Sequence, residues 1–360
     1  MNPPDLLWES MRRPHTAVAL DLAGWDLLVR QARHAKVLAR LAMLLDEQAL
    51  LGQVPPKVGE HLLAARVVAE KHERMTRWEV NRVRRAVAGA VSSVVLLKGG
   101  AYLMAGLPPA RGRLLADLDV MVPKAELADA ERALRQSGWE VMKLHSYDDR
   151  YYRRWMHELP PLRHAARGTV LDLHHTILPE TGRLHPDPQK LFAAARPLGD
   201  GTLKILAPVD MVLHSAAHLF QDGDLAGGLR DLTDLDDLMR HFAAEPAFWD
   251  QLVPRAAELD LARPLYYALW YARRFLETPV PEAVMTAARS GRPARPVGAI
   301  MNLLVGRALE PEHPDRTRPA AALARWLLYV RSHWLRMPPL QLASHLTRKA
   351  LRRWHREDKD

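Results

Sequence analysis

The sequence predicts a mixed α/β chain, a small sheet-bearing core flanked by an N-terminal and a C-terminal helical region. Three observations predict it. Apolar residues recur at helical spacing over the first ninety residues, short apolar runs bounded by Gly and Pro occupy the middle, and helical periodicity returns from Val209 onward. The expected divisions are 1–90, 91–207 and 208–360.

In the first region Leu27, Leu28, Val37, Leu38, Leu41, Leu44 and Leu45 follow helical spacing until Val54-Pro55-Pro56 interrupts them. A long second helix is expected from Lys57 to Ala88. Leu62, Leu63, Val67, Met75, Trp78, Val83 and Val87 are assigned to its core face and a run of arginines to solvent.

In the middle region Val94-Val95-Leu96-Leu97 reads as a buried strand that ends in Lys98-Gly99-Gly100 and turns into a helix. Asp117 to Val122 reads as a second strand and Lys124 to Gly138 as an amphipathic helix with Leu127, Ala130 and Leu134 inward. A polar, aromatic stretch follows, then strand candidates at Thr169 to His175 and Thr202 to Leu206. In the last region Leu229, Leu232, Leu235 and Leu238 form a stripe interleaved with Asp231, Asp234, Asp236 and Asp237. Asp234 is a candidate supporting residue for a site in the core. From Arg325 the chain is basic, with Trp326, Trp334 and Trp354 interspersed, a pattern able to stack bases on RNA.

Composition bounds the function. With 48% hydrophobic and 26% charged residues the chain can build packed cores, and charged residues interrupt every apolar run before it reaches membrane-spanning length. The first residues lack the features of a secretory signal, so a cytoplasmic location without membrane partners is expected. Zero cysteines exclude disulfides, thiolate metal sites and a cysteine nucleophile. The net charge of +9 favours an anionic partner, although arginine predominates over lysine as GC-rich codon usage alone would produce.

The chemistry concentrates between Lys98 and Asp172. Asp117 and Asp119, two apart on an expected strand, project from one face, where two carboxylates repel unless a cation lies between them. Oxygen-only ligation suits Mg²⁺. Gly99-Gly100 opens a helix after a strand, a geometry whose backbone N–H groups can meet phosphate. Asp172 shares a strand face with Val170 and His174 and is a candidate general base. No P-loop sequence is present.

Taken in order, Leu96-Leu97-Lys98-Gly99-Gly100, Arg113 to Val122, and Leu171-Asp172-Leu173-His174 resemble the uncharacterised-nucleotidyltransferase group of the DNA polymerase β-like superfamily. The resemblance extends more loosely to His214-Ser215-Ala216-Ala217-His218 and Leu229 to Asp234, and covers about two-thirds of the chain. It implies a nucleotidyltransferase core in which Asp117, Asp119 and Asp172 are catalytic and hold Mg²⁺, with Mn²⁺ as a substitute. It implies an NTP donor whose phosphates meet Lys98, Gly99, Gly100 and Arg113, with His174 and His218 at the cofactor cleft. Gly100 stands where better-known members have Ser, so phosphate binding would rest on backbone N–H groups and Lys98. The implied reaction is attack on the α-phosphorus by a hydroxyl or phosphate acceptor, which RNA or tRNA, a small molecule or a peptide could supply. Two other classes stay open: a non-catalytic nucleotide-sensing module, and a phosphoryl- or glycosyl-transferring enzyme on the same metal site. His174, His175, His214 and His218 are an alternative imidazole zinc set.

Overall fold

The computed structural model describes residues 6–142, 156–199, 201–222, 225 and 227–336. A seven-stranded mixed sheet carries the core of the fold: β1 (Val95–Leu96), β2 (Leu118–Met121), β3 (Trp139–Val141), β4 (Leu162–His164), β5 (Val170–His174), β6 (Arg196–Leu198) and β7 (Leu203–Ile205), in the order β3-β4-β5-β2-β1-β7-β6. β1 runs antiparallel to β2 and parallel to β7, and β2 runs parallel to β5. The central strands are short and almost wholly apolar because both faces are covered, as expected of buried parallel pairings. The strands lie between Val95 and Ile205, with helices on either side.

The expected β2 begins one residue late. Asp117 lies in a bend and Leu118 is the first ladder residue. Three strands were not anticipated: β3, β4 and β6 are each three residues long, too short for an alternation to register. β6 contains Pro197, which an edge position tolerates because one side of the strand needs no ladder donor.

Helix boundaries follow local chemistry. Asp21 accepts from Gly24 N–H at 2.7 Å and Asp187 from Gln189 N–H at 2.9 Å, each closing an open helix N-terminus, and Pro56, Pro188 and Pro208 begin helices where no donor is needed. The long helix Pro56–Val87 is present, and its inward face is the expected one in part. Val58, Leu62, Val80, Val83 and Val87 are buried, whereas Leu63, Val67, Met75 and Trp78 are 46 to 61% exposed. At 1.5 Å per residue the helix is about 48 Å long, while a five-residue strand spans about 17 Å. Through the middle of the helix the buried positions are Ala69, Thr76 and Glu79, so the apolar residues Leu63, Val67, Met75 and Trp78 lie off the covered face.

Helices Lys98–Met104, Leu127–Gln136 and Pro56–Val87 pack together against one face of the sheet. A Cβ on Gly100 would come within 2.7 Å of Leu118 Cδ1, which places Leu118 on that face. By alternation Asp119 points to the other. The helix Pro208–Ala217, every residue of which is buried, packs among the C-terminal helices and the helix Lys98–Met104, and its His214 lies within electrostatic reach of Asp119. The buried apolar side chains form one continuous cluster from Leu6 to Leu328. Of the basic C-terminal strip, Arg325 to Arg336 belong to the helix Pro319–Arg336, where Arg325 pairs with Glu312 and Arg331 donates to Phe220 C=O. The remainder, Trp354 included, lies outside the described residues, as does most of the polar, aromatic stretch before His157. Among the described residues no helix is long and apolar enough to cross a membrane.

Candidate active site

Lys98 is separated from the end of β1 by one residue, Leu97. Its φ of +43° is a costly conformation for a residue with a side chain, and it opens the helix Lys98–Met104. The two glycines after it are required by packing. A Cβ on Gly99 would lie 2.5 Å from Leu115 Cδ2 and 2.9 Å from Arg113 Nε.

From this position Lys98 Nζ donates to Asp119 Oδ1 at 2.8 Å, and His174 Nε2 lies 3.1 Å from the same oxygen. Asp119 is 4% exposed. Burial alone would raise its pKa, but the Lys98 ammonium and His174 overcome that and hold it well below the usual carboxylate range. Burial works against the Lys98 charge too, yet Asp119, with Glu158 and Asp117 behind it, keeps its pKa above the ordinary lysine value.

Asp172 is the register partner of Asp119 on the neighbouring parallel strand, so the two carboxylates point to the same face. Asp172 Oδ1 is buried and has no hydrogen-bond partner. Burial, together with the charges of Asp119 and Asp117, pushes its pKa up to about 7. Asp117, half-buried in the bend before β2, is raised by burial and by Asp119, with Lys98 and His218 opposing. Asp117, Asp119 and Asp172 raise one another's cost of ionisation, and Asp172 Oδ1 has no donor at all, an arrangement that fits a divalent cation held by oxygen ligands.

The sequence profile of a family described as "Uncharacterised nucleotidyltransferase" matches residues 21–277. The chain belongs to this nucleotidyltransferase family. No curated protein and no solved structure matches it significantly. The match runs from the helix Leu22–His34 through the whole sheet to the helix Ala262–Leu276, and so contains every residue of the site.

In this nucleotidyltransferase Arg113 occupies a position the sequence did not anticipate. Its Nη1 pairs with Asp234 Oδ2, and its guanidinium lies 6.0 Å from the centroid of the Tyr102 ring. Arg40, from the helix Leu38–Glu47, donates to the other oxygen of Asp234 at 2.7 Å, to Thr233 Oγ1 at 2.5 Å and to Pro109 C=O at 2.8 Å. Asp234, 2% exposed, therefore joins the N-terminal helices, the loop before β2 and the helix Gly228–Phe242. Burial and the nearby Arg230 lower the pKa of Arg113, with Asp231 opposing. Sequence reasoning found Asp234 but not Arg40, which nothing in its local context distinguishes from the other arginines.

The histidines divide. His174 supports Asp119. His175, one residue on, faces the other way, with Nε2 3.2 Å from Met156 C=O and Nδ1 3.9 Å from Glu180. His214 is 3% exposed; burial, with Lys98 and His218 adding to it, holds its pKa well below that of a free imidazole. His218 lies within electrostatic reach of Asp117, Asp231 and His214. His174 instead meets His157 and Glu158, and these three form the one group of His, Asp or Glu donors found to converge within 4.8 Å among the described residues. His157 and Glu158 carry no sequence signal, because they follow no strand or helix pattern.

Asp117 also lies on the wall of a cleft of about 700 Å³ between the long helix and the start of β2 and β5. Trp78, 46% exposed, lines it, with the guanidinium groups of Arg82 and Arg167 at 4.7 Å and 5.3 Å from the ring. Glu79 fixes Arg167 through paired contacts of 2.6 and 3.1 Å.

Proposed function

We propose that this nucleotidyltransferase transfers a nucleoside monophosphate from an NTP to a hydroxyl or phosphate acceptor with the help of Mg²⁺ or Mn²⁺ bound by Asp117, Asp119 and Asp172. The observation that carries the reading is Asp172 Oδ1, a buried carboxylate oxygen without a donor beside its register partner Asp119. When bound, the divalent cation supplies charge neutralisation at the phosphates and the leaving pyrophosphate. The protein's own groups do the rest. Lys98 and His174 fix the rotamer of Asp119 and keep it ionised. Asp172, raised to about 7 in the ion-free site, ionises as the cation binds, and its second oxygen then accepts the proton of an attacking hydroxyl.

Lys98 is the phosphate-facing cation in this reading. Gly99 and Gly100 serve by admitting Leu115, Arg113 and Leu118 to close approach, and Arg113 serves by holding Asp234.

Calorimetric titration of each NTP, with and without Mg²⁺, tests the proposal. Binding that requires Mg²⁺ and disappears in Asp117→Asn/Asp172→Asn supports it; equal binding without the ion overturns it. With labelled donors, product carrying the α-phosphate establishes nucleotidyl transfer, whereas product carrying the γ-phosphate or the sugar assigns the site to another transfer.

A further inference from the structure

His157 to Leu159 runs antiparallel along the end of β5. Leu159 N–H donates to Leu173 C=O at 2.9 Å, His175 N–H donates to His157 C=O at 2.9 Å, and Glu158 is the bridge partner of His174. That ladder brings three donor side chains together. Glu158 Oε2 lies 3.4 Å from His174 Nε2 and 3.9 Å from His157 Nε2, and the two imidazole rings are 5.2 Å apart with a 36° tilt. His157 and His174 are 5% and 1% exposed, and the Glu158 side chain 15%.

Both carboxylate–imidazole separations exceed the 2.7 to ~3.2 Å of a good hydrogen bond. They approach a different value. Donor atoms that share a first-row ion at about 2.0–2.1 Å stand about 3.4 Å apart at tetrahedral angles. Two imidazoles and one carboxylate, mostly withdrawn from solvent, also match what Zn²⁺ and its neighbours select and what Mg²⁺ does not.

We propose that His157, Glu158 and His174 form a binding site for a transition-metal cation of the zinc class, separate from the carboxylate site. The site ties the chain at His157–Glu158 to β5 and leaves at least one coordination position for water or a substrate oxygen. It borders the carboxylate cluster: His174 Nε2 is also 3.1 Å from Asp119 Oδ1, and with an ion on that nitrogen Asp119 keeps Lys98 as its donor. The proposal does not rest on the nucleotidyl-transfer reading, because Asp117 and Asp172 are not among its donors.

The test is a titration of the full-length, chelator-treated protein with Co²⁺, whose visible absorption is strong in four- or five-coordinate nitrogen–oxygen sites. Expected is saturable binding that Zn²⁺ displaces and excess Mg²⁺ does not, weakened about 100-fold or more in both His157→Gln and Glu158→Gln. Circular dichroism of each variant checks that it is folded. Asp117→Asn/Asp172→Asn is expected to keep the cobalt spectrum while losing Mg²⁺-dependent NTP binding, which separates the two sites. Absence of a cobalt spectrum in the wild type, an unchanged affinity in folded Glu158→Gln, or loss of the spectrum in Asp117→Asn/Asp172→Asn overturns the proposal.

Discussion

Asp119 and Asp172 are register partners on adjacent parallel strands, yet their surroundings drive their pKa values in opposite directions. Asp119 is held well below the usual range and Asp172 is pushed up to about 7. The difference is one of donors: Asp119 Oδ1 faces Lys98 and His174, and Asp172 Oδ1 faces no donor.

That asymmetry predicts unequal effects of removing each charge. Asp119→Asn leaves the Lys98 ammonium without its carboxylate and is expected to cost about 1–3 kcal/mol. Asp117→Asn and Asp172→Asn relieve repulsion and are expected to leave stability unchanged or raise it. Urea denaturation of the three variants without added metal checks this ordering, and an equal loss in all three would contradict it.

Asp234 binds two buried arginines at once, Arg40 and Arg113. Asp234→Ala strands both cations, and the expected loss is about 3–5 kcal/mol. Because Arg113 is engaged there, Arg113→Ala is expected to lower stability and to weaken triphosphate and monophosphate equally. Preferential loss of triphosphate affinity would instead place Arg113 at the phosphates.

Gly99→Ala sets a methyl group 2.5 Å from Leu115 Cδ2, and about 1–3 kcal/mol of overpacking is expected. Gly112→Ala is expected to cost more. Its φ is +66° and the new Cβ would lie 2.5 Å from the backbone nitrogen of Arg40, which cannot move aside as a side chain can. Gly89→Ala, with a similar φ and open space, isolates the backbone contribution of about 1 kcal/mol. Thermal melts of the three variants test the ranking.

His214 predicts an acid limit. Its pKa is lowered in the folded state, so as pH falls the unfolded chain binds the proton first. The stability contributed by neutral His214 is therefore present above about pH 6.5 and lost progressively below it, with a slope of at most about 1.4 kcal/mol per pH unit for this one group. Lys98, His218 and His174 oppose its protonation and Asp119 favours it. Burial lowers His72 and His175 as well, adding to the same trend. Asp172, raised to about 7, works the opposite way in both proteins, so the check is the difference: the wild-type advantage in denaturation midpoint over His214→Asn is expected to shrink as pH falls from 7.5 to 5.

Much of the site is local and was legible. The run Val94 to Leu97, its glycine turn, the Asp117-Leu118-Asp119 pattern and Asp172 each lie within a few residues of a strand signal, and period-two alternation alone aligns Asp172 with His174. The stripe Leu229 to Leu238 is buried as its spacing requires. Of the stripe assigned to the long helix, Leu62, Val83 and Val87 are buried and Leu63, Val67, Met75 and Trp78 are exposed, because periodicity reports a face and not whether anything covers it.

The sequence by itself determined the α/β core between helical flanks, the strand–glycine–helix turn and the candidate carboxylates, since these depend on alternation, turn chemistry and residue type within short windows. Only the tertiary structure decided the partners. It put Arg113 on Asp234 beside Arg40, Lys98 and His174 on Asp119, and His157 and Glu158 against His174. Hydrogen bonds, ion pairs and pKa shifts depend on distances of a few ångström between residues far apart in the chain, and those distances are set by how the layers pack.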